Sequence, residues 1–224
     1  MDSALPPFAD HSSEEQPHPS GVIRFFAHFF SFVFHPLLLS AYVIAFLMFL
    51  HPSAFVGVDL HTRLLRMLST ILFTVLYPAF VIFIAWRLKL IRSMTLDSMQ
   101  DRIVGFLVTM FFYWWTWYVF RNLPDIPLVA LNFVFGSFLV ICGGWMCNIF
   151  FKISMHALAV GGLCAFFIIF GMHDAFASGL YMVSPILITG IVCSSRMLLA
   201  AHSPFEIVTG LLVGVLAQML AWVF

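Results

Sequence analysis

Three ionisable residues stand close together in the stretch SSRMLLAAHSPFEIVTG at 194–210, which lies between two apolar segments. They are Arg196, His202 and Glu206. Ionisable groups at membrane depth cost free energy, and they usually face a polar cavity that serves a function. A carboxylate four residues after a histidine can lie on the same helix face, where it orients the imidazole and stabilises its protonated form. The spacing therefore predicts a functional histidine with a carboxylate partner.

The same stretch also has a simpler interpretation. Ser203, Pro204 and Glu206 match a capping box, with the serine as N-cap, the proline at the first helical position and the glutamate at the third. In that case His202 is an interfacial histidine, and Arg196 extends toward lipid headgroups. The residues of this stretch alone leave both interpretations open.

Two other polar segments interrupt the apolar chain, RLKLIRSMTLDSMQDR at 87–102 and KISMH at 152–156. Two predicted spans separate each polar segment from the next, so all three are expected at one membrane face. They supply two histidines, His156 and His202, which suit a nucleophile and a general acid. They also supply cations and a hydroxyl, which suit an anion with several oxygens such as phosphate. These donors are Arg102, Lys152, Ser154 and Arg196.

The composition indicates an integral membrane protein. Of the 224 residues, 62% are hydrophobic and only 9% are charged, whereas about 25% are charged in soluble domains. The net charge is zero with neutral histidines, so no basic surface indicates a nucleic-acid partner. The four cysteines lie in apolar stretches without a Cys-x-x-Cys pair, and we interpret them as small core residues rather than as disulfides or metal ligands.

A spanning helix needs about 20 mostly apolar residues. Six stretches qualify: 67–86, 103–120, 126–151, 155–172, 175–195 and 205–224. Residues 21–50 are too long for one span, so we predict a Phe-rich interfacial segment at 21–35 and a first span at 36–50, with Pro36 bending or restarting the helix. The expected fold is an all-α, polytopic transmembrane bundle of six to seven spans. It forms a single domain over 21–224 after a disordered polar tail at 1–20.

The third polar segment resembles the third signature of the type 2 phosphatidic acid phosphatase family, whose helical core is shared with the vanadium haloperoxidases. Ser195 and Arg196 are followed after five residues by His202 and after three more by an acid, here Glu206 in place of the usual aspartate. Pro204 and Gly210 also fit. The resemblance covers roughly residues 92–214.

The other two signatures of this family are only partly present. In the second, Pro-Ser-Gly-His, the serine and histidine survive as Ser154 and His156. In the first, Arg102 matches, whereas Thr95 stands where the family has lysine and Ile103 where it has proline. The phosphate would therefore lack one cation of the family pattern. Lys152 is the expected replacement, because on a helix Arg92 would lie about 80° around the axis from Arg102.

The resemblance implies an enzyme that cleaves a phosphomonoester or pyrophosphate of a lipid, either a glycerolipid or a polyprenyl compound, and needs no metal or other cofactor. His202 would attack phosphorus and form a phosphohistidine, Glu206 would orient it, and His156 would protonate the leaving oxygen and then activate water. The phosphate oxygens would be bound by Arg196, Ser154, Lys152 and Arg102. The expected partners are the lipid substrate and the bilayer of an inner or plasma membrane.

Two other functions fit the same residues. The incomplete first and second signatures would suit a family member that has lost activity and serves as a transporter or scaffold. Histidine pairs involving His28 and His35 would suit a haem-binding bundle, although these two cannot by themselves clamp an iron from both sides. Once the proposed phosphate ligands are left out, Lys and Arg residues are distributed almost equally between the two faces, so the positive-inside rule does not orient the site.

Overall fold

The structure is a computed structural model that describes residues 20–96, 98–176 and 179–223. The predicted tail at 1–20 lies outside the described residues except for Ser20, which caps the first helix. The described residues form helices joined by turns and contain no β-strand. The helices are α1 (Gly21–Val33), α2 (Pro36–Ala45), α3 (Leu60–Ile71), α4 (Tyr77–Arg87), α5 (Met99–Arg121), α6 (Leu128–Phe150), α7 (Met155–His173), α8 (Gly179–Leu198) and α9 (Pro204–Leu220).

Five helices in the described part of the chain are long and apolar enough to cross a membrane, which supports the predicted multi-pass bundle. They are α5, α6, α7, α8 and the continuous helix Leu60–Arg87, in which a π turn joins α3 to α4. The pair Gly21–Val33 and Pro36–Leu50 gives a sixth if it is one broken span, and α9 is shorter at 17 residues. The crossings predicted at 36–50 and 205–224 therefore stay predictions.

Two boundaries show how local chemistry shapes the helices. The helix predicted to begin at residue 67 begins at Leu60, because the Asp59 side chain accepts the Thr62 N–H at 3.0 Å and caps it. At residue 36 the chain bends by 60° between α1 and α2, as the proline predicted. His35 is the N-cap of α2, and its Nδ1 accepts the Leu37 N–H at 3.3 Å. The Phe-rich segment is thus a separate helix.

The closest helix pair is α7 with α9, and glycines make the contact possible. A Cβ on Gly214 would collide with the backbone oxygen of Leu158 and lie 2.9 Å from the backbone nitrogen of Gly162. A Cβ on Gly161 would lie 2.5 Å from the backbone oxygen of Leu211. These glycines therefore allow the two helices to pack closely. This contact matters for function because α7 begins next to His156 and α9 begins just after His202.

Replacing Gly214 with alanine tests this contact. We expect Gly214→Ala to lower the free energy of unfolding by about 1–3 kcal/mol, because backbone atoms cannot move aside for the new methyl group. Thermal unfolding of the protein in detergent measures the change. Gly190→Ala is the matched control, since a Cβ on Gly190 of α8 meets nothing within 4 Å and alanine favours helix. Equal midpoints for the two variants would contradict the close α7–α9 contact.

At the end of the bundle away from His202, the ionisable groups hold loops in place. Arg66 makes a bidentate ion pair with Asp125 at 2.7 and 2.8 Å, and this hydrogen bonding holds the pKa of Asp125 below its usual range. Arg63 donates to three backbone carbonyls of residues 48–58. The Nε2 atom of His51 lies 2.8 Å from Oδ2 of Asp174. These contacts account for the polar side chains at this end structurally.

Candidate active site

His202 is presented by the turn between α8 and α9. The Ala201 N–H donates to the Arg196 carbonyl at 3.2 Å, and the Ala200 N–H donates to the Met197 carbonyl at 2.9 Å, which is the hydrogen-bond pattern of a Schellman cap. Ala200 has a φ of 48°, a left-handed conformation that glycine usually adopts and that costs an alanine about 1–2 kcal/mol. Backbone strain of this kind is concentrated at functional sites.

His202 and Glu206 form a hydrogen-bonded pair, with 2.5 Å between Nδ1 and Oε2. Because an ionised carboxylate can only accept, the ring carries a proton on Nδ1, and a neutral ring then has its lone pair on Nε2. The Glu206 N–H donates to Ser203 Oγ at 3.3 Å, so one half of the capping box is present. The Glu206 carboxylate, however, contacts His202, which is the geometry of an orienting residue.

The surroundings of His202 favour its neutral form. Burial lowers the pKa of His202 below its ordinary value, whereas the hydrogen bond to Glu206 raises it. The positive charges of Arg102 and Arg196 lower the pKa further. With the pKa held down, the ring is mostly neutral at pH 7 and keeps the lone pair that a nucleophile requires.

A cavity of about 830 Å³ opens beside His202 and extends into the bundle. This volume is within the range of small-molecule sites. Five of the predicted site residues line it: Arg102, Lys152, His156, Arg196 and His202. Farther in, the walls are largely apolar and include Phe106, Phe133, Val140, Leu158 and Leu163. The structure thus brings the three polar segments to one place, as span counting predicts.

Ser154 is placed differently from the expected phosphate ligand. Its side chain is fully buried and is not part of the cavity lining. The Ser154 hydroxyl accepts the Ala157 N–H at 3.4 Å and caps α7, and its own N–H donates to the Glu206 carbonyl at 3.3 Å. The physical reason is that the first turn of α7 needs an acceptor for its N–H groups. The structure therefore gives Ser154 a capping role and a backbone link to α9.

Arg102 lines the cavity and also holds two chain segments together. Its Nε donates to the Leu96 carbonyl at 2.9 Å, and one terminal nitrogen donates to the Ile153 carbonyl at 2.5 Å. The first and second polar segments are thereby joined next to the site. Arg102 contributes its positive charge to the cavity while two of its nitrogens bind backbone carbonyls.

Arg196 and Lys152 are the other two cations of the cavity. The Nε of Arg196 is buried and has no hydrogen-bond partner among the described residues, and a buried donor without an acceptor is costly. Lys152 is half-buried at the cavity, whereas Arg92 is exposed and is absent from its lining. Thr95, at the position of the missing family lysine, also lines the cavity.

His156 is linked to α1, a helix outside the region of the family resemblance. Its Nε2 lies 3.1 Å from the Ser31 carbonyl, to which only a protonated nitrogen can donate. The ring of His35 stands edge-on to that of His156, with 5.6 Å between centroids. The bend between α1 and α2 therefore covers His156 on one side.

Ser31 and His35 are site residues that the phosphatase resemblance did not predict, although His35 is one of the two histidines considered for haem. The Ser31 side chain is 8% exposed, and its Oγ lines the cavity without a partner among the described residues. His35 uses Nδ1 for the cap of α2, so a neutral ring carries its hydrogen on Nε2. Both side chains are potential donors to an anion. The only sequence signal near them is Pro36, which marks the bend but does not say what packs against it.

Four helix N-termini lie around the cavity. Helices α2, α5, α7 and α9 begin at Pro36, Met99, Met155 and Pro204, and a residue at or near each start lines the cavity. Helix N-termini carry a partial positive charge and favour anions. The helix dipoles therefore act in the same direction as the three cations.

The histidines and cysteines are the residues that a haem or a metal ion would need as ligands. His28 and His35 both line the cavity, and His35 already uses one ring nitrogen as a cap. Within the described ranges, no three His, Cys, Asp or Glu side chains are grouped so that they could hold a metal ion. The four cysteines are free thiols and half-buried.

Comparison with known proteins adds no relative to the evidence from the site geometry. No family model matches this chain, and no curated protein or solved structure is significantly similar to it. The resemblance to the type 2 phosphatidic acid phosphatases consequently rests on the motif residues themselves. The described residues form an all-helical bundle, and five of their helices are long and apolar enough to cross a membrane.

Proposed function

We propose that this protein is a membrane phosphatase that hydrolyses a lipid phosphomonoester or pyrophosphate through a phosphohistidine intermediate. The observation that carries the proposal is the carboxylate-oriented His202 at the mouth of a cavity whose rim is cationic and whose walls are apolar. A phosphate with a long apolar group matches both parts of the cavity. This activity is the one that the resemblance to the type 2 phosphatidic acid phosphatases implies.

In the first step, Nε2 of His202 attacks phosphorus as the bond from phosphorus to the lipid oxygen breaks. The lipid oxygen takes a proton from the imidazolium form of His156, which becomes neutral, and leaves as an alcohol or, from a pyrophosphate, as the lipid monophosphate. Glu206 stabilises the positive charge that forms on the His202 ring. Arg196 and Lys152 stabilise the charge on the non-bridging oxygens in the transition state.

In the second step, a water molecule attacks the phosphorus of the phosphohistidine. His156 accepts a proton from that water, the phosphorus–nitrogen bond breaks, and its electron pair returns to Nε2 of His202. The products are inorganic phosphate and the starting enzyme. For both steps His156 must exchange its hydrogen bond to the Ser31 carbonyl for one to the substrate, so we expect α1 to shift when substrate binds.

Phosphate release from a panel of lipid phosphates and pyrophosphates, by purified protein in detergent, tests the proposal directly. We expect release from at least one lipid and inhibition by vanadate, which mimics five-coordinate phosphorus. A chelator should have no effect. If no lipid phosphate in the panel is cleaved, or if chelation abolishes release, the proposed mechanism is wrong.

Lys152 and Arg92 are the two cations that could take the place of the missing family lysine, and replacing each with alanine distinguishes them. We expect Lys152→Ala to lower lipid phosphate turnover at least about tenfold, because a charge-assisted contact to phosphate is lost. Arg92→Ala should cost less than about threefold, because Arg92 is exposed and away from the cavity. Both variants are assayed with the lipid that the wild type cleaves fastest. The reverse order would assign the phosphate contact to Arg92.

The inactive transporter or scaffold remains the second candidate, and one observation favours it. In this conformation the Nε2 proton of His156 is directed at the Ser31 carbonyl rather than at a leaving group. A protein that binds lipid phosphates without releasing phosphate, and that forms no phosphohistidine, would fit this candidate and exclude the enzyme.

A further inference from the structure

Three buried polar atoms of the cavity lining have no hydrogen-bond partner among the described residues: Arg196 Nε, Ser31 Oγ and Gln218 Oε1. Arg196 and Ser31 lie at the mouth and offer hydrogens, which suits an anion. Gln218 lies in the second half of α9, and its unpaired atom is an acceptor. An unpaired buried acceptor lowers stability, so this oxygen calls for a donor.

The geometry of Gln218 fixes which atom is available. The side chain is 1% exposed, and its Nε2 donates to the Asn132 carbonyl on α6 at 3.3 Å. Because a carbonyl oxygen can only accept, this bond assigns the amide nitrogen to Asn132 and leaves Oε1 on the other side. A Cβ built on Gly162 would be 3.9 Å from Oε1, and Gly162 also lines the cavity. A Cβ built on Gly136 of α6 would collide with the amide, including Oε1. The amide therefore fills the space between α6 and α7 at the wall of the cavity, which Gln218 and Gly162 both line.

This acceptor is far from the reacting phosphorus. Gln218 lies 14 residues after Pro204, the first residue of α9, which corresponds to about 21 Å along the helix axis. The hydrocarbon core of a bilayer is about 30 Å thick. A lipid with its phosphate at His202 and its chain in the cavity would bring the middle of that chain, not the headgroup, to Gln218.

The other hydroxyl groups of the inner cavity already have partners within the protein. Tyr113 and Ser40 share a hydrogen bond of 2.8 Å. Thr109 donates to the Gly105 carbonyl at 2.8 Å, and Ser137 donates to the Phe133 carbonyl at 2.9 Å. Those oxygens keep lone pairs, but each already shares a hydrogen bond, whereas Gln218 Oε1 is the buried acceptor of the described cavity lining that has no partner at all.

From these contacts we infer that the cavity contains a second, inner subsite at Gln218, which binds a hydroxyl carried on the apolar body of the phosphorylated lipid. The subsite distinguishes hydroxylated lipid chains from plain hydrocarbon or prenyl chains. The inference rests on the proposed lipid phosphatase function for the position of the phosphate. The alternative occupant of the subsite is a water molecule, which would give no preference between chains.

Binding of non-hydrolysable phosphonate analogues tests the subsite without depending on catalysis. Three phosphatidic acid phosphonates are compared, identical except near the middle of one acyl chain, which carries a hydroxyl, a methyl ether or hydrogen. The dissociation constants come from thermal shifts of the purified protein in detergent at graded lipid fractions. We expect the hydroxyl lipid to bind about three- to tenfold tighter than the other two, since only it can donate to Oε1.

Two variants test whether the preference for the hydroxyl lipid depends on Gln218. Gln218→Met keeps the side-chain length but removes the acceptor, and it should abolish the preference for the hydroxyl lipid. Thr109→Val is the matched control, because it removes a hydroxyl from the same cavity that is already bonded within its own helix, and it should keep the preference. Equal affinities of the wild type for the three lipids would overturn the inference, as would an undiminished preference in Gln218→Met. The lipid comparison in the wild type is decisive even if Gln218→Met does not fold.

Hydrolysis of the corresponding phosphate lipids separates this inference from the proposed function. Phosphate release without a preference for the hydroxyl lipid would retain the phosphatase and remove the inner subsite. A hydroxyl preference in binding without any phosphate release would retain the subsite and remove the phosphatase.

Discussion

Replacing His202 with alanine should reduce lipid phosphate hydrolysis by about three orders of magnitude or more, because the proposed nucleophile is lost while the cationic rim stays. Phosphate release with the best substrate measures the loss. Acid-labile labelling of the wild type by a radiolabelled lipid phosphate, absent from His202→Ala, would identify the phosphohistidine. We expect the variant to keep the thermal midpoint of the wild type within a few degrees.

His61→Ala is the matched control for this variant. His61 is exposed at the start of α3, at the end of the bundle away from the cavity, and its replacement should leave the rate unchanged. Activity of His202→Ala within tenfold of the wild type would rule out His202 as the nucleophile. A loss of activity in His61→Ala of similar size would mean that histidine removal acts through folding.

Replacing Glu206 with glutamine should lower the rate about a hundredfold or more, because the partner of His202 loses its negative charge while its size is kept. Gln also completes a capping box, so helix α9 should keep its N-terminus. The 2.5 Å contact between His202 and the carboxylate makes this the second-largest expected effect. Steady-state kinetics across pH 5–8 measure it, and the deficit should persist at every pH.

The pKa of His202 supplies an independent readout of the same pair. The hydrogen bond to Glu206 raises that pKa against the lowering by burial and by the two arginines. Glutamine keeps an acceptor for Nδ1 but loses the negative charge that also raises this pKa, so Glu206→Gln should move the pKa of His202 further down. Histidine side-chain NMR titration, assigned by comparison with His202→Ala, measures the direction. An unchanged rate together with an unchanged pKa would confine Glu206 to helix capping.

Local chemistry explains why much of the architecture could be predicted from the sequence. Apolar stretches of spanning length predicted α4 to α8 as helices, and Pro36 predicted the break before α2, because lipid leaves a backbone few alternatives to the helix. The spacing between Arg196, His202 and Glu206 predicted a histidine–carboxylate pair, since residues four apart share one helix face. Counting spans predicted that the three polar segments meet at one face.

Packing between distant segments decided what the site contains. Ser154 was predicted as a phosphate ligand, but its hydroxyl points toward the first turn of α7, where it accepts the Ala157 N–H and caps the helix. Ser31 and His35 enter the site because the 60° bend places α1 beside His156, a contact of residues 125 apart that no local spacing encodes.

The sequence by itself therefore determined a helical membrane protein and the histidine–carboxylate pair at 202–206, since periodicity and i to i+4 spacing act within one helix. Only the tertiary structure decided which donors face the cavity and that Gln218 lines it from within. Those features depend on the glycine contact between α7 and α9 and on which hydrogen bonds the packed backbone leaves unmade.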